Sequence, residues 1–98
     1  MWRQGDVFIQ AWPTVPDGAK ELPHCILAKG ELTGHAHRVA ESGAAVLFEH
    51  GGVQYLDVRG PRATIAHEEH GPIVLERGVY RVWIQREYSP QEIRRVVD

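Results

Sequence analysis

The chain has 98 residues, of which 43% are hydrophobic and 24% are charged, and its formal net charge is -2. This length supports one domain with a single modest core, and the composition is that of a folded globular protein instead of a disordered chain. The slight negative charge gives no electrostatic reason to expect nucleic acid as a partner, and no apolar run reaches the roughly 20 residues that a membrane span needs.

The chain contains a single cysteine, Cys25. Cys25 has no partner for an internal disulfide and is expected to be a small core residue. Residues 1–6 lack the apolar segment of a signal peptide. These features lead us to expect a cytoplasmic protein.

Glycine and proline recur at intervals of roughly 8–12 residues, with short alternating or β-branched runs between them. This spacing predicts an all-β fold, a small antiparallel barrel or sandwich in which residues 1–98 form one domain. About eight short strands are predicted, at 6–12, 24–28, 35–41, 44–49, 53–58, 62–67, 73–76 and 79–88. Turns are predicted at Gly51-Gly52, Gly60-Pro61 and Arg77-Gly78.

The C-terminal segment carries a helix-start signal. Ser89 and Glu92 have the spacing of a capping box, and Pro90 stands at the first helical position. Apolar residues then recur on one helical face. We therefore predict a short helix over residues 90–97.

The strongest chemical signal is a pair of histidines one residue apart, His35 and His37. On a strand, residues i and i+2 point to the same side about 6.5–7 Å apart, so two imidazoles can bind one ion. Val39 shares their face, which suggests that the pair looks towards the interior. We interpret both histidines as metal ligands. The alternative is that they are ordinary polar residues of a glycine-flanked loop.

A second pair, His67 and His70, is separated by two glutamates. His67 ends a predicted strand on its apolar face, and His70 reaches the same site if the chain bends at Gly71-Pro72. Glu69 is a competing ligand because it shares the face of His67 in a regular strand. The alternative is a solvated acidic loop.

Together the two pairs predict a site for a divalent transition metal. Imidazole-rich ligand sets suit zinc or iron first, with nickel or copper as alternatives. If the protein is an enzyme, the metal would act on a small-molecule substrate and Glu69 would be the catalytic proton-transfer group. The alternative is a non-catalytic binding or interaction module with a structural metal or none.

Gly30, His35, His37 and Glu41 resemble the first metal-binding motif of the cupins. Cupins are small double-stranded β-helix barrels that hold a metal by two histidines, a glutamate and a third histidine. The resemblance covers about the middle third of the chain and implies that His35, His37 and Glu41 are ligands, together with a histidine of the second pair. The chain departs from the motif in the spacing of the leading glycine, and the second cupin motif is absent.

Most of the chain also resembles a group of short bacterial proteins that has no established activity. The shared elements lie at residues 4–6, 33–37, 67–73 and 85–88. This resemblance implies that His67 and His70 act as a pair, but it implies no reaction.

The remaining conspicuous residues are assigned structural or interaction roles. His24 and His50 are expected to be surface histidines. Phe8 and Trp83 fall on the face opposite the aliphatic stripe, where the terminal helix or a homodimer contact would cover them. Arg86 either pairs with a structural carboxylate or binds an anionic substrate.

Overall fold

The computed structural model of the chain describes residues 1–30 and 34–85, and this part of the chain is all β. The eight strands are β1 (Trp2–Gln4), β2 (Val7–Trp12), β3 (Lys20–Glu21), β4 (Ile26–Lys29), β5 (Ala36–Val39), β6 (Ala45–His50), β7 (Val53–Ala66) and β8 (Ile73–Ile84). All their pairings are antiparallel, which confirms the predicted fold class. The predicted helix at 90–97 lies outside the described residues, and within them no helix is long and apolar enough to cross a membrane.

All eight strands belong to one sheet. Six of them run in the order β1-β2-β8-β7-β5-β4, while β6 pairs with both β7 and β3. Strand β7 is shared along its length, because residues 53–58 pair with β6 whereas Ile65 and Ala66 pair with β5. The start of β5 therefore lies beside the end of β7, and this juxtaposition positions the histidines.

The core is one cluster of mainly aliphatic side chains on a single face of the sheet. Its members are Val7, Ile9, Leu27, Ala45, Leu47, Leu56, Val58, Ala63, Ile65, Leu75, Tyr80 and Val82. They come from β2, β4, β6, β7 and β8, so the sheet must curve for all of them to join one cluster. Burial of this face is the main source of the stability of the fold.

Two of the predicted turns are wrong, because they lie inside long strands. Gly60-Pro61 falls within β7 and Arg77-Gly78 within β8. The backbone N–H groups of Arg59 and Gly60 both donate to the carbonyl oxygen of Ala44, at 2.9 and 3.0 Å, so the chain bulges here instead of reversing. The hairpin turn predicted at Gly51-Gly52 is confirmed and joins β6 to β7.

Phe8 and Trp83 lie side by side on the face opposite the core, as predicted. Their rings stack with centroids 5.7 Å apart and an interplanar angle of 16°. The guanidinium group of Arg3 lies 5.2 Å over Phe8, and that of Arg81 lies 5.3 Å from the Trp83 ring and 5.1 Å from the Trp12 ring. Cation–π contacts from within the chain thus cover part of this aromatic surface. The homodimer contact expected for this face stays a prediction.

Candidate metal centre

Four imidazole rings meet where β5 and β7 lie side by side, and we call His35, His37, His67 and His70 the histidine cluster. His37 belongs to β5 and His35 precedes it, while His67 and His70 follow the end of β7. Ring centroids are 4.2 Å apart for His37 and His67, 4.7 Å for His67 and His70, 5.7 Å for His35 and His67, and 6.0 Å for His37 and His70. The chain therefore bends after β7 and returns His70 to the other rings. The bend lies at residues 68–70, before the predicted position at Gly71-Pro72.

The histidine cluster lines a cleft of about 530 Å³. Asp6, Lys29 and Glu69 contribute further polar groups to the wall, and Ile84 contributes an apolar one. His37 is buried, His35 and His67 are half-buried, and His70 is exposed. A cleft of this volume has room for a small molecule beside the rings.

A buried glutamine connects the histidine cluster to β1. Gln4 is only 2% exposed. Its Nε2 donates hydrogen bonds to the carbonyl oxygens of Ile65 and Gly71, at 2.9 and 2.8 Å. Its Oε1 lies 2.8 Å from Nδ1 of His37. One side chain of β1 thus contacts β5, the end of β7 and the loop that follows β7.

The neutral form of His37 is favoured mainly by its burial. Burial lowers the pKa of His37 below its usual 6.5, and the nearby imidazole of His67 lowers it further. The carboxylate of Asp6, with Oδ1 3.8 Å from Nε2, acts in the opposite direction but does not reverse the shift. Neutral imidazole is the form that binds a metal ion.

His35 and Glu69 form a contact between the two histidine segments. Nδ1 of His35 lies 3.1 Å from Oε2 of Glu69. When a carboxylate accepts from Nδ1, the neutral ring carries its lone pair on Nε2, an arrangement typical of metal-ligating histidines. Glu69 therefore lies in the cleft, and its observed contact is with a histidine.

The ring of His67 is oriented by a different kind of partner. Its Nδ1 accepts a hydrogen bond from the backbone N–H of Glu69 at 3.0 Å, so the neutral ring carries its proton on Nε2. Coordination of a metal ion through Nδ1 would use the lone pair that now accepts the Glu69 N–H. Coordination through Nε2 would move the ring proton to Nδ1, where it would face the Glu69 N–H. Metal binding by His67 through either nitrogen therefore requires this hydrogen bond to break.

Glu68 anchors the second histidine segment to β5. Its Oε1 accepts from the backbone N–H of Ala36 at 3.0 Å and its Oε2 from the guanidinium of Arg38 at 3.1 Å. The hydrogen bond from Ala36 is the largest cause of a carboxyl pKa lowered to about 2. Ligand atoms of His35, His67 and Glu68 lie within 4.8 Å of one another, so this carboxylate also borders the candidate site.

Comparison with known protein families gives one result. Residues 3–85 match the family model of a domain of unknown function, DUF8820. The chain belongs to the DUF8820 family. No curated protein and no solved structure matches it. The DUF8820 match includes Gln4 and the whole histidine cluster, and the role of this domain has to be argued from those residues.

The structure does not bring Glu41 to the histidine cluster of this DUF8820 domain. Its Oε1 accepts from the backbone N–H of Thr64 at 2.7 Å and its Oε2 from the Thr64 hydroxyl at 2.6 Å. These bonds lower the pKa of Glu41. Glu41 lines a different cleft, beside His24 and Cys25. The ligand role implied by the cupin motif therefore has no geometric support, because both carboxylate oxygens serve to fasten the β5–β6 connection to β7.

Gly5, in the two-residue turn between β1 and β2, packs directly on the histidine cluster. Its φ is +61°, and an added Cβ would lie 2.8 Å from Nε2 of His70 and 3.4 Å from Cε1 of His37. Glycine is needed here for the backbone conformation and for the close approach. Gln4 at the end of β1, together with Gly5 and Asp6 of the turn, thus faces the site.

The other histidines lie outside the cluster, and Cys25 packs against the core. His24 and His50 are exposed, as predicted. Cys25 is half-buried, its thiol donates to the carbonyl oxygen of Ala45 at 3.2 Å, and burial raises its pKa. The predicted roles of Arg86 fall outside the described residues.

The sequence did not identify four residues that help to form the site, namely Gln4, Gly5, Asp6 and Glu68. A glutamine in a short strand and a glutamate in an acidic loop match no ligand pattern. The one available signal was the shared element at residues 4–6, whose position gives no indication that it faces the histidines.

Proposed function

We propose that this protein binds one divalent transition metal ion through the histidine cluster. The observation that carries the proposal is the convergence of four imidazoles from two chain segments on one cleft. Imidazole ligands suit zinc or iron, with nickel or copper as alternatives, better than magnesium or calcium. Acceptors at Nδ1 of His35 and His37 support the proposal, because metal-ligating histidines commonly donate to such a group.

The ligand set proposed here differs from the one that the cupin resemblance implies. His35 and His37 remain as ligands. Glu41 is not included as a ligand, because its carboxylate accepts two hydrogen bonds from Thr64. Our proposal is therefore a cupin-like domain with an all-histidine site, which Glu68 borders because one of its oxygens lies within 4.8 Å of ligand atoms of His35 and His67. His67 joins the set once the Glu69 N–H bond to its Nδ1 has broken.

A catalytic role is the first form of this proposal. A bound metal ion would supply Lewis-acid chemistry or an activated water to a small-molecule substrate in the cleft. Glu69 is proposed as the proton-transfer group, because it lines the cleft and its side chain is 62% exposed. Its contact with Nδ1 of His35 also lets it orient that ring.

A structural metal in a non-catalytic module is the second form. Four imidazoles would fill a tetrahedral zinc site and leave no position for water, whereas a catalytic site keeps one open. The close contact of Gly5 with His70 and His37 favours this form, because the turn limits access from that side. Relaxation of solvent water protons by bound Co²⁺ distinguishes the two, since only an open site exchanges a bound water.

Metal titration tests the proposal directly. We expect the metal-free protein to bind one Zn²⁺ or Co²⁺ per chain, and the His35→Ala/His37→Ala variant to lose this binding. The matched control is His24→Ala/His50→Ala, which removes two exposed histidines away from the cluster and should bind as the unmodified protein does. A protein that binds neither ion, or a cluster variant that binds as tightly as the control, contradicts the proposal.

A further inference from the structure

Gln4 is an unusual residue to find buried, because its amide has hydrogen-bonding capacity that water can no longer satisfy. Both Nε2 protons are used, one towards the carbonyl oxygen of Ile65 and one towards that of Gly71. Its Oε1 faces Nδ1 of His37. The amide is therefore satisfied on both sides, as buried polar groups must be.

The two carbonyl groups fix which way the Gln4 amide points. If the amide were rotated by 180°, its Oε1 would face two carbonyl oxygens at less than 3 Å, with no proton between them. The observed orientation is thus required by chemistry. It places an acceptor oxygen 2.8 Å from Nδ1 of His37, and a neutral imidazole can satisfy that oxygen only by carrying its proton on Nδ1.

We infer that Gln4 is a positioning residue, which fixes His37 as the Nδ1–H tautomer and thereby directs its Nε2 lone pair towards the cleft. The consequence for metal binding rests on the proposed function, whereas the tautomer itself does not. The same side chain holds Gly71, and therefore places the loop that carries His70. Gln4 acts through His37 and the loop, not by contact with a ligand.

Nitrogen NMR of the imidazoles in the metal-free protein tests the tautomer without any substitution. At neutral pH we expect His37 to show a protonated Nδ1 and an unprotonated Nε2. In Gln4→Met, which has a similar size but no hydrogen-bonding amide, we expect this single tautomer to give way to a mixture or to Nε2–H. A His37 ring protonated on Nε2 in the unmodified protein, or an unchanged tautomer in Gln4→Met, overturns the inference.

Metal affinity gives the second readout. Loss of a hydrogen-bond partner of a ligating histidine typically weakens binding by about 10–100-fold, and we expect a loss of this size for Gln4→Met. If the unmodified protein binds no metal while His37 has the expected tautomer, the proposed function fails and the role of Gln4 stands. If the protein binds metal and Gln4→Met binds it equally well, the role of Gln4 in the metal site is overturned while the proposed function stands.

Discussion

Three histidines of the cluster have different partners at Nδ1, and these partners favour different tautomers. His35 and His37 have acceptors at Nδ1, in Glu69 and Gln4, whereas His67 accepts a backbone N–H there. The His-x-His spacing could predict that two rings share a site, because alternation along a strand is a local property. The Nδ1 partners come from β1 and from the loop after β7, which are distant in sequence, so no local pattern could predict them.

Substitution of Gly5 by alanine tests the close approach of the β1–β2 turn to the histidine cluster. We expect Gly5→Ala to displace His70 and weaken metal binding, because the new Cβ would lie 2.8 Å from Nε2 of that ring. Gly51→Ala is the matched control: its φ of +60° is nearly the same, it lies in a two-residue hairpin turn, and no atom lies within 4 Å of the added Cβ.

Both alanine variants should lose roughly 1 kcal/mol of unfolding free energy or more from the left-handed backbone alone. The measurement is Zn²⁺ affinity by calorimetry together with urea unfolding of both variants. Equal metal affinity in Gly5→Ala and Gly51→Ala would contradict the packing described for Gly5.

The pairing of Glu41 with Thr64 makes a prediction about pH. The hydrogen bonds from Thr64 lower the pKa of Glu41 in the folded chain below its usual 4.5, so they stabilise the fold above that pH. This stabilisation is lost as the pH falls through the folded-state pKa. The difference in unfolding free energy between the unmodified protein and Glu41→Gln should therefore be largest above pH 4.5 and shrink in acid.

Denaturant unfolding of the metal-free proteins across this pH range measures that difference. Metal affinity at neutral pH provides a separate check, because Glu41 lies outside the histidine cluster and its substitution should leave binding unchanged. A loss as large as that of His35→Ala/His37→Ala would show that Glu41 is a ligand after all.

At the scale of the strands, alternation correctly predicted which side chains face the core. Glycine and proline positions gave wrong strand ends within β7 and β8. Val82 is buried and Trp83 lies on the other face, as the alternation in β8 requires. Gly60-Pro61 was interpreted as a turn, yet β7 continues through it because neighbouring strands pair on both sides and absorb a bulge. Whether a glycine ends a strand depends on those neighbours, which are remote in sequence.

Two adjacent residues of β8 test the assignment of its faces. Leu75 is fully buried, whereas Val74 is 55% exposed on the opposite face. We expect Leu75→Ala to lower the unfolding free energy by about 2–5 kcal/mol, because it leaves a cavity in the core. Val74→Ala should cost under about 1 kcal/mol. Urea unfolding of both variants measures these values, and similar losses would contradict the assigned faces.

At the scale of the whole molecule, the sequence was sufficient for the fold class and for the two histidine pairs. Regular glycine and proline spacing predicted an all-β chain, and residues 1–30 and 34–85 are all β. The eight observed strands are not the eight predicted ones, because β7 and β8 each combine two predicted strands while β1 and β3 were not predicted. The pairing of β2 with β8 and of β5 with the end of β7 joins distant segments. Those pairings bring Gln4 to His37, and composition and periodicity contain no information about them.

X-ray absorption spectroscopy of the zinc-loaded protein tests the central claim most directly, because it reports the ligands of the ion itself. The proposal predicts nitrogen or oxygen ligands at about 2.0–2.1 Å, with outer-shell scattering from three or four imidazoles. His24→Ala/His50→Ala should give the same spectrum, since neither exposed histidine belongs to the cluster. A spectrum that contains two imidazoles or fewer would contradict a metal site built from His35, His37, His67 and His70.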